Sequence, residues 1–142
     1  MCKCLDKYGP LLGRFLLTII FIIAGIQKIT DFSGTAAFMA SKGLPLVNVL
    51  LVLSIIVELG GGLLILVGWQ ARWAAAVLFF FVIVVTLIFH PIWSSQELLQ
   101  NYRDFIKNVA ILGGLMYVMV HGSGPLSLGK DWCPGKCAAT NS

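Results

Sequence analysis

The most constraining feature of this sequence is an apolar run from Leu44 to Gly68 that contains a single charged side chain, Glu58. A run of 25 residues is long enough to cross a bilayer as a tilted helix. Because a charge near the centre of a membrane span costs roughly 2.5–3.5 kcal/mol, Glu58 is expected to face a partner or a cavity instead of lipid. Four other residues share its helical face, and three of them are small enough to let a second helix approach: Ser54, Gly61, Gly62 and Ile65.

Composition extends this conclusion to the whole chain. Of the 142 residues 58% are hydrophobic and only 11% are charged, whereas a soluble domain carries about 25% charged residues. The chain is therefore expected to be an integral membrane protein with one domain. Its net charge of +4 indicates contact with anionic lipid. No basic block with interleaved aromatic residues is present, so nucleic acid is not an expected partner.

The hydropathy pattern predicts an all-α integral membrane four-helix bundle, with its membrane domain over residues 11–128. A short head, 1–10, precedes this domain, and a polar tail that contains cysteines, 129–142, follows it. The stretch Thr35–Ser41 is expected at the membrane interface, and residues 92–104 are expected to form a polar loop. The four predicted spans are 11–29, 44–68, 73–90 and 105–121.

An even number of spans places both termini on the same side of the membrane. That side would carry six of the ten basic residues, and the opposite side would carry four: Lys28, Lys42, Arg103 and Lys107. Because basic residues favour the cytoplasmic side, we expect the termini in the cytoplasm.

Polar side chains from all four predicted spans converge on the outer half of the bundle. We interpret three of them as catalytic, namely Glu58, His90 and Lys107. We interpret three more as substrate-binding: Gln27, Lys28 and Asn108. Either Lys28 or Lys107 would balance the charge of Glu58, and His90 can titrate near neutral pH. Such a pocket suits proton transfer to a quinone or binding of a small polar solute.

Purely structural interpretations of the same residues stay open. Lysines near helix ends commonly extend their ammonium groups to the interface. His90, which precedes Pro91, would then be an ordinary interfacial histidine. A buried pair between Glu58 and a lysine could serve only to fix how the helices pack.

The four cysteines form two pairs, Cys2 with Cys4 and Cys133 with Cys137, and both pairs lie on the predicted cytoplasmic side. Four thiolates can hold a soft metal ion in tetrahedral geometry. The cytoplasm disfavours disulfides, so unpaired thiols are the alternative to a metal site. If the termini faced the periplasm, two disulfides would be expected instead.

Taken in order, several segments resemble the DoxX family of small bacterial and archaeal membrane proteins. The similarity extends over roughly residues 11–128. The matching segments are Gly13–Leu16, Ala24–Asp31, Met39–Pro45, Val57–Leu64, Phe89–Trp93 and Phe105–Leu115.

This resemblance implies a multi-pass four-helix protein of the bacterial or archaeal inner membrane. The family is named after a small subunit associated with thiosulfate–quinone oxidoreduction, and many members are described as membrane oxidoreductases. Five of the candidate site residues fall in its recurring segments: Lys28, Glu58, His90, Lys107 and Asn108. The cysteines lie outside the match.

Three functions are compatible with these residues. The leading one is a redox-linked membrane protein whose polar pocket binds a quinone or a sulfur species; its cofactor would be that quinone or, less readily, a thiolate-bound metal. The second is a carrier of small solutes or a proton-coupled carrier. The third is a non-catalytic assembly subunit. The expected partners are the lipid bilayer and either further copies of the chain or other membrane and redox subunits.

Overall fold

The computed structural model describes residues 3–89, 98–124 and 126–129. Within these ranges the chain is entirely helical and contains no β strand. The helices are α1 (Lys3–Thr30), α2 (Phe32–Ser41), α3 (Val47–Val67), α4 (Ala71–Phe89) and α5 (Leu98–His121).

Three of these helices have segments that are long and apolar enough to cross a membrane. They are Tyr8–Thr30, Val47–Val67 and Ala71–Phe89, with mean hydropathies of 2.1, 2.6 and 2.4. They coincide with the first three predicted spans. The fourth predicted span falls within α5, whose first half contains Arg103, Asp104 and Lys107. Helix α5 is not among the three helices that are long and apolar enough to cross a membrane, so a fourth span stays a prediction.

Several helix boundaries differ from those predicted. Helix α1 begins in the predicted head, at Lys3, and α5 begins at Leu98, inside the stretch expected to be a loop. Helix α3 starts three residues late because Leu46 adopts a left-handed conformation at φ 48°. Such a conformation is uncommon for a residue with a branched side chain and interrupts helical hydrogen bonding.

The interfacial stretch is a helix, as expected, but it begins earlier, at Phe32. The carboxylate of Asp31 accepts a hydrogen bond from the backbone N–H of Gly34 at 3.2 Å and so caps the start of α2. This contact satisfies one of the backbone donors that a helix start leaves unpaired. Helix α3 ends at Gly68, which has φ 77°, a conformation that favours glycine at helix ends.

The long helices pack in the order α1, α3, α4, α5, and α5 also touches α1. Small residues permit the close contacts: an added Cβ at Gly61 would lie 2.8 Å from Cγ of Leu78, and one at Gly25 would lie 2.6 Å from Cγ of Leu59. The fully buried core includes Ile65, Leu78 and Leu115. The opposite helix faces expose large apolar side chains, as expected for surfaces in contact with lipid.

The segment after α5 returns to the start of α1. An added Cβ on Gly124 would lie 2.7 Å from Cβ of Pro10, and the N–H of Leu128 donates to the carbonyl of Val67 at 3.2 Å. Arg14 of α1 also contacts this segment, through the carbonyl of Leu126. We therefore call this end of the molecule, which includes the α3–α4 turn, the Arg14 end. The opposite end, which includes α2, is the cavity end. The side of the membrane that each end faces stays a prediction.

Candidate functional site

An ion pair between Lys28 of α1 and Glu58 of α3 lies at the centre of the site. The ammonium group of Lys28 donates to Oε1 of Glu58. Glu58 is only 5% exposed, while the side chain of Lys28 is 25% exposed. Side chains on a helix tilt towards its N-terminus. Because α1 and α3 run in opposite directions, this tilt brings Lys28 towards the middle of the molecule and Glu58 towards the cavity end.

A cavity of about 640 Å³ lies next to Lys28, between α1, α2, α3 and α4. Its volume falls in the range typical of small-molecule sites, roughly 300–1,000 Å³. Lys28 lines the cavity, and so does Ser54, which precedes Glu58 by one helical turn on the same buried face of α3. The walls are mainly apolar, and the remaining polar lining residues are Gln27, Thr30, Asp31 and Thr35.

Helix α2 covers one side of this cavity through Phe38 and Met39. The ring of Phe38 stacks on that of Phe89 at the end of α4, with centroids 5.8 Å apart and an interplanar angle of 21°. The ammonium group of Lys42 lies 5.4 Å from the Phe38 centroid, in a cation–π contact. The stacked pair joins α2 to α4 across the cavity.

The second carboxylate oxygen of Glu58 is an unsatisfied acceptor. Oε2 is buried and has no hydrogen-bond partner among the residues that the structure describes. An unpaired buried acceptor costs about 1–3 kcal/mol, and more when the group is charged. Glu58 does not line the cavity, so of the two members of the pair it is Lys28 that a ligand there would contact.

Of the two lysines proposed as partners of Glu58, the structure selects Lys28. Lys107 lies on the exposed face of α5 and pairs with Asp104 at 3.1 Å, their side chains being 56% and 30% exposed. Asn108 is buried and donates from Nδ2 to the hydroxyl of Thr86 at 2.9 Å. Neither Lys107 nor Asn108 lines the cavity next to Lys28. The catalytic and substrate-binding roles assigned to them stay predictions.

The remaining predicted site residues are placed as follows. Gln27 is exposed and lines the cavity beside Lys28. His90 lies outside the described residues, as do Cys2, Cys133 and Cys137. The backbone of Cys4 belongs to the first turns of α1. Within the described ranges no group of three or more His, Cys, Asp or Glu side chains can hold a metal ion.

Sequence reasoning missed Arg14, which it counted only as a basic residue near the cytoplasm. Arg14 is 2% exposed. Its guanidinium group donates to the backbone carbonyl of Leu126 and, from Nε, to that of Pro10 at 3.4 Å. The available signal was its position: an arginine beyond the first turns of an apolar span requires acceptors from the protein. The hydrogen bond from Asn108 to Thr86 was not predicted either.

The family model described as DoxX matches residues 9–91, which include both members of the ion pair. The inner membrane protein YqjF of Escherichia coli strain K12 is 36% identical over 134 residues, covering 92% of this chain and 99% of that protein. The inner membrane protein YphA of the same strain is 30% identical over 122 residues, covering 84% of this chain and 87% of that protein. No solved structure shows a significant match.

Proposed function

The chain belongs to the DoxX family and is an inner membrane protein, and from this premise we propose that its cavity binds the head group of a lipid-soluble quinone. The supporting observation is the combination in one cavity of apolar walls with a lysine, Lys28, whose ammonium group is paired with the buried Glu58. A quinone has an apolar ring and tail and two carbonyl oxygens that accept hydrogen bonds. Lys28 lines the cavity and can donate to such an oxygen.

The ion pair also provides the groups that proton exchange requires. Reduction of a quinone consumes two protons and two electrons, and oxidation of the quinol releases them. In this proposal Lys28 exchanges protons with the bound ring, and Glu58 exchanges them with Lys28 through their hydrogen bond. The electrons pass to or from a redox subunit that docks on the chain. The redox role is thus that of a quinone-binding subunit.

A conducting path is less well supported than a binding site. On the Arg14 side of Glu58 the space between the helices is filled by Ile65, Leu78 and Leu115, none of which has exposed surface. A continuous route for a solute would have to displace these side chains. The cavity instead has the form of a site that accepts a ligand at one end of the molecule.

We further propose that α5 is the fourth membrane span. It packs along α4 and contributes Ile111, Leu115 and Val118 to the common core. Its exposed face is apolar over residues 109–120, where it presents Val109, Met116 and Val120. In this arrangement the charged pair Asp104–Lys107 lies at the membrane boundary, where exposed charges are tolerated.

Quinone retained by the purified protein tests the binding proposal. The protein would be extracted in mild detergent, and the bound quinone would be quantified by extraction and mass spectrometry. Ala24→Leu places a larger side chain on the cavity wall, and the expected result is at least a tenfold loss of bound quinone. Ala37→Leu is the matched control because Ala37 is exposed on α2 and does not line the cavity.

Equal quinone content in the Ala24→Leu and Ala37→Leu proteins would contradict this assignment of the cavity. Absence of quinone from the wild-type protein, followed by failure to bind added decylubiquinone, would contradict the proposed function itself. Thermal unfolding of both variants would establish that each protein is folded.

A further inference from the structure

A second cavity, of about 780 Å³, lies between α1 and α5, and we propose that it binds a phospholipid with an anionic head group. We call this cavity the α1–α5 groove. Among the described residues, none lines both the groove and the cavity next to Lys28. The lipid site is therefore separate from the quinone site, and either can be wrong without the other. The inference does rest on the proposal that α5 is the fourth membrane span.

The groove is present because α1 and α5 pack more loosely against each other than the other neighbouring long helices do. The two helices meet where Leu17 lies against Gly114: an added Cβ at Gly114 would be 3.0 Å from Cδ1 of Leu17. Beside this contact the surface of α1 is left uncovered, since an added Cβ at Gly9 or Gly13 has nothing within 4 Å. All four of these residues line the groove.

The walls of the groove are mainly apolar, and they belong to the exposed surface of the bundle. Leu16 and Ile20 line it on α1, and Tyr117 lines it on α5; all three side chains are exposed. Within the hydrocarbon core no water is available to fill such a groove, and an empty one would leave its lining atoms without contacts. The apolar molecules that surround a membrane span are lipid chains, so an acyl chain is the expected occupant.

The length of the groove fits one acyl chain. Lys107 and Val118 both line it, eleven positions apart on α5, which corresponds to about 16 Å along the helix. One lipid leaflet occupies half of a hydrocarbon core that is roughly 30 Å thick. A chain whose head group lies at Lys107 would therefore end near Val118. Gly13 lies on the facing wall at that level, because α1 and α5 run in opposite directions and meet at Leu17 and Gly114.

The charge of the groove indicates the head group. Its described lining residues include two cations, Lys107 and Arg14, and no carboxylate. Arg14 is almost fully buried and donates to backbone carbonyls. The side chain of Lys107 is 56% exposed, and its ammonium group has three donors, of which Asp104 takes one. Lys107 is thus the cation that can reach a phosphate, and Arg103, one turn earlier on α5, adds a second positive charge at this end.

Lipid retained by the purified protein tests the inference. The delipidated protein would be incubated in detergent with phosphatidylglycerol or phosphatidylethanolamine of identical acyl chains and examined by native mass spectrometry. The wild type is expected to bind a single lipid per chain and to prefer phosphatidylglycerol about fivefold, the effect of one lysine near an anionic lipid. Lys107→Gln is expected to lose this preference, while Lys42→Gln, which removes a lysine outside the groove, keeps it.

Filling the groove tests the position of the acyl chain. Gly13→Leu places a side chain in the groove, and the expected result is loss of both lipids. Gly113→Leu is the matched control because Gly113 also lies within a helix and has open space around an added Cβ, but it does not line the groove. Both variants replace glycine with a residue that favours helices, so each is expected to fold.

Equal lipid retention by Gly13→Leu and Gly113→Leu would overturn this inference, and so would an unchanged preference in Lys107→Gln. A wild-type dimer that retains no lipid and dissociates on Gly13→Leu would show that a second copy covers the groove. The fourth span is checked separately in proteoliposomes, with Val109→Cys in a background whose four native cysteines are serine. Labelling of this cysteine by an impermeant maleimide would overturn the span and the lipid site together. Protection without lipid binding would overturn the lipid site alone.

Discussion

Helix α1 contains two cations whose side chains face the interior. Lys28 lies at the cavity end and Arg14 lies at the opposite end, and the two differ in their partners. Arg14 is almost fully buried, and it donates to the backbone carbonyls of Pro10 and Leu126. Lys28 instead pairs with one carboxylate, that of Glu58. Both cations border a cavity, of about 640 Å³ at Lys28 and about 780 Å³ at Arg14.

This difference separates a structural charge from a candidate binding charge. Backbone acceptors hold the Arg14 side chain in place, and the segment that supplies one of them closes that end of the molecule. At the cavity end the partner of the cation is another side chain, and Lys28, which is 25% exposed, lines the cavity. An ammonium group that is not held by backbone acceptors is the one of the two that can donate to a ligand.

The largest loss of stability is expected from a substitution that fills the space occupied by the Arg14 side chain. Gly68→Ala adds a Cβ that would collide with Nη1 of Arg14 and lie 2.5 Å from Cβ of Ser127. The substitution also forces a side chain into a left-handed conformation at φ 77°. Together, these effects are expected to lower the free energy of unfolding by about 3 kcal/mol, measured by reversible denaturation in mixed micelles.

Gly60→Ala is the matched control for that substitution. Gly60 lies within α3, and an added Cβ there has nothing within 4 Å. Because alanine favours helices more than glycine by about 1 kcal/mol, this variant is expected to be as stable as the wild type or more so. Equal destabilisation by the two variants would show that Arg14 does not fix the Arg14 end.

The second prediction concerns the Lys28–Glu58 pair. Glu58→Leu leaves Lys28 without its partner and is expected to cost about 2 kcal/mol. This loss is below the range for fully buried pairs because the side chain of Lys28 is 25% exposed and can turn towards water. The double variant with Lys28→Leu and Glu58→Leu is expected to unfold within about 1 kcal/mol of the wild type.

Quinone binding distinguishes this recovery of stability from a recovery of function. The double variant is expected to retain no quinone, since the ammonium group of Lys28 is gone from the cavity. Arg14 differs because it donates to backbone carbonyls, which no substitution removes. Full quinone binding by a stable double variant would show that the pair only fixes helix packing.

The burial of Glu58 agrees with the sequence prediction, because a charge in the middle of an apolar helix is expected to face the protein interior. Its partner was harder to predict. Lys28 and Lys107 are both near helix ends, and which one reaches Glu58 depends on how the helices are rotated about their axes. Hydropathy does not specify this rotation, so the sequence does not distinguish the two lysines, whereas the structure pairs Glu58 with Lys28.

The same limit explains why Arg14 and the cavity were missed. The acceptor for Arg14 is Leu126, 112 residues away in sequence, and it is a backbone atom that every residue type possesses. The cavity depends on α2 lying across α1 and α3, which the sequence indicated only as an interfacial stretch. By contrast, apolar length alone was sufficient to locate the first three long helices.

A third, smaller effect is expected at the buried pair formed by Asn108 and Thr86. Asn108→Leu removes one hydrogen bond between α4 and α5, and the Thr86 hydroxyl keeps its bond to the carbonyl of Val82. The expected loss is about 1 kcal/mol in the free energy of unfolding. Quinone content is expected to be unchanged because Asn108 does not line the cavity. A stable variant that had lost its quinone would restore the substrate-binding role predicted from the sequence.

The smallest effect is expected at the exposed pair of Asp104 and Lys107, three residues apart on α5. It contains the same kinds of charge as Lys28–Glu58, but its side chains are more exposed, at 56% for Lys107 and 30% for Asp104. A double-mutant cycle with Asp104→Asn and Lys107→Gln is expected to give a coupling of about 0.5 kcal/mol or less, decreasing with added salt. A coupling as large as that of Lys28 with Glu58 would mean that burial does not distinguish the two pairs. Lys107 would then have to be considered again as a residue of the site.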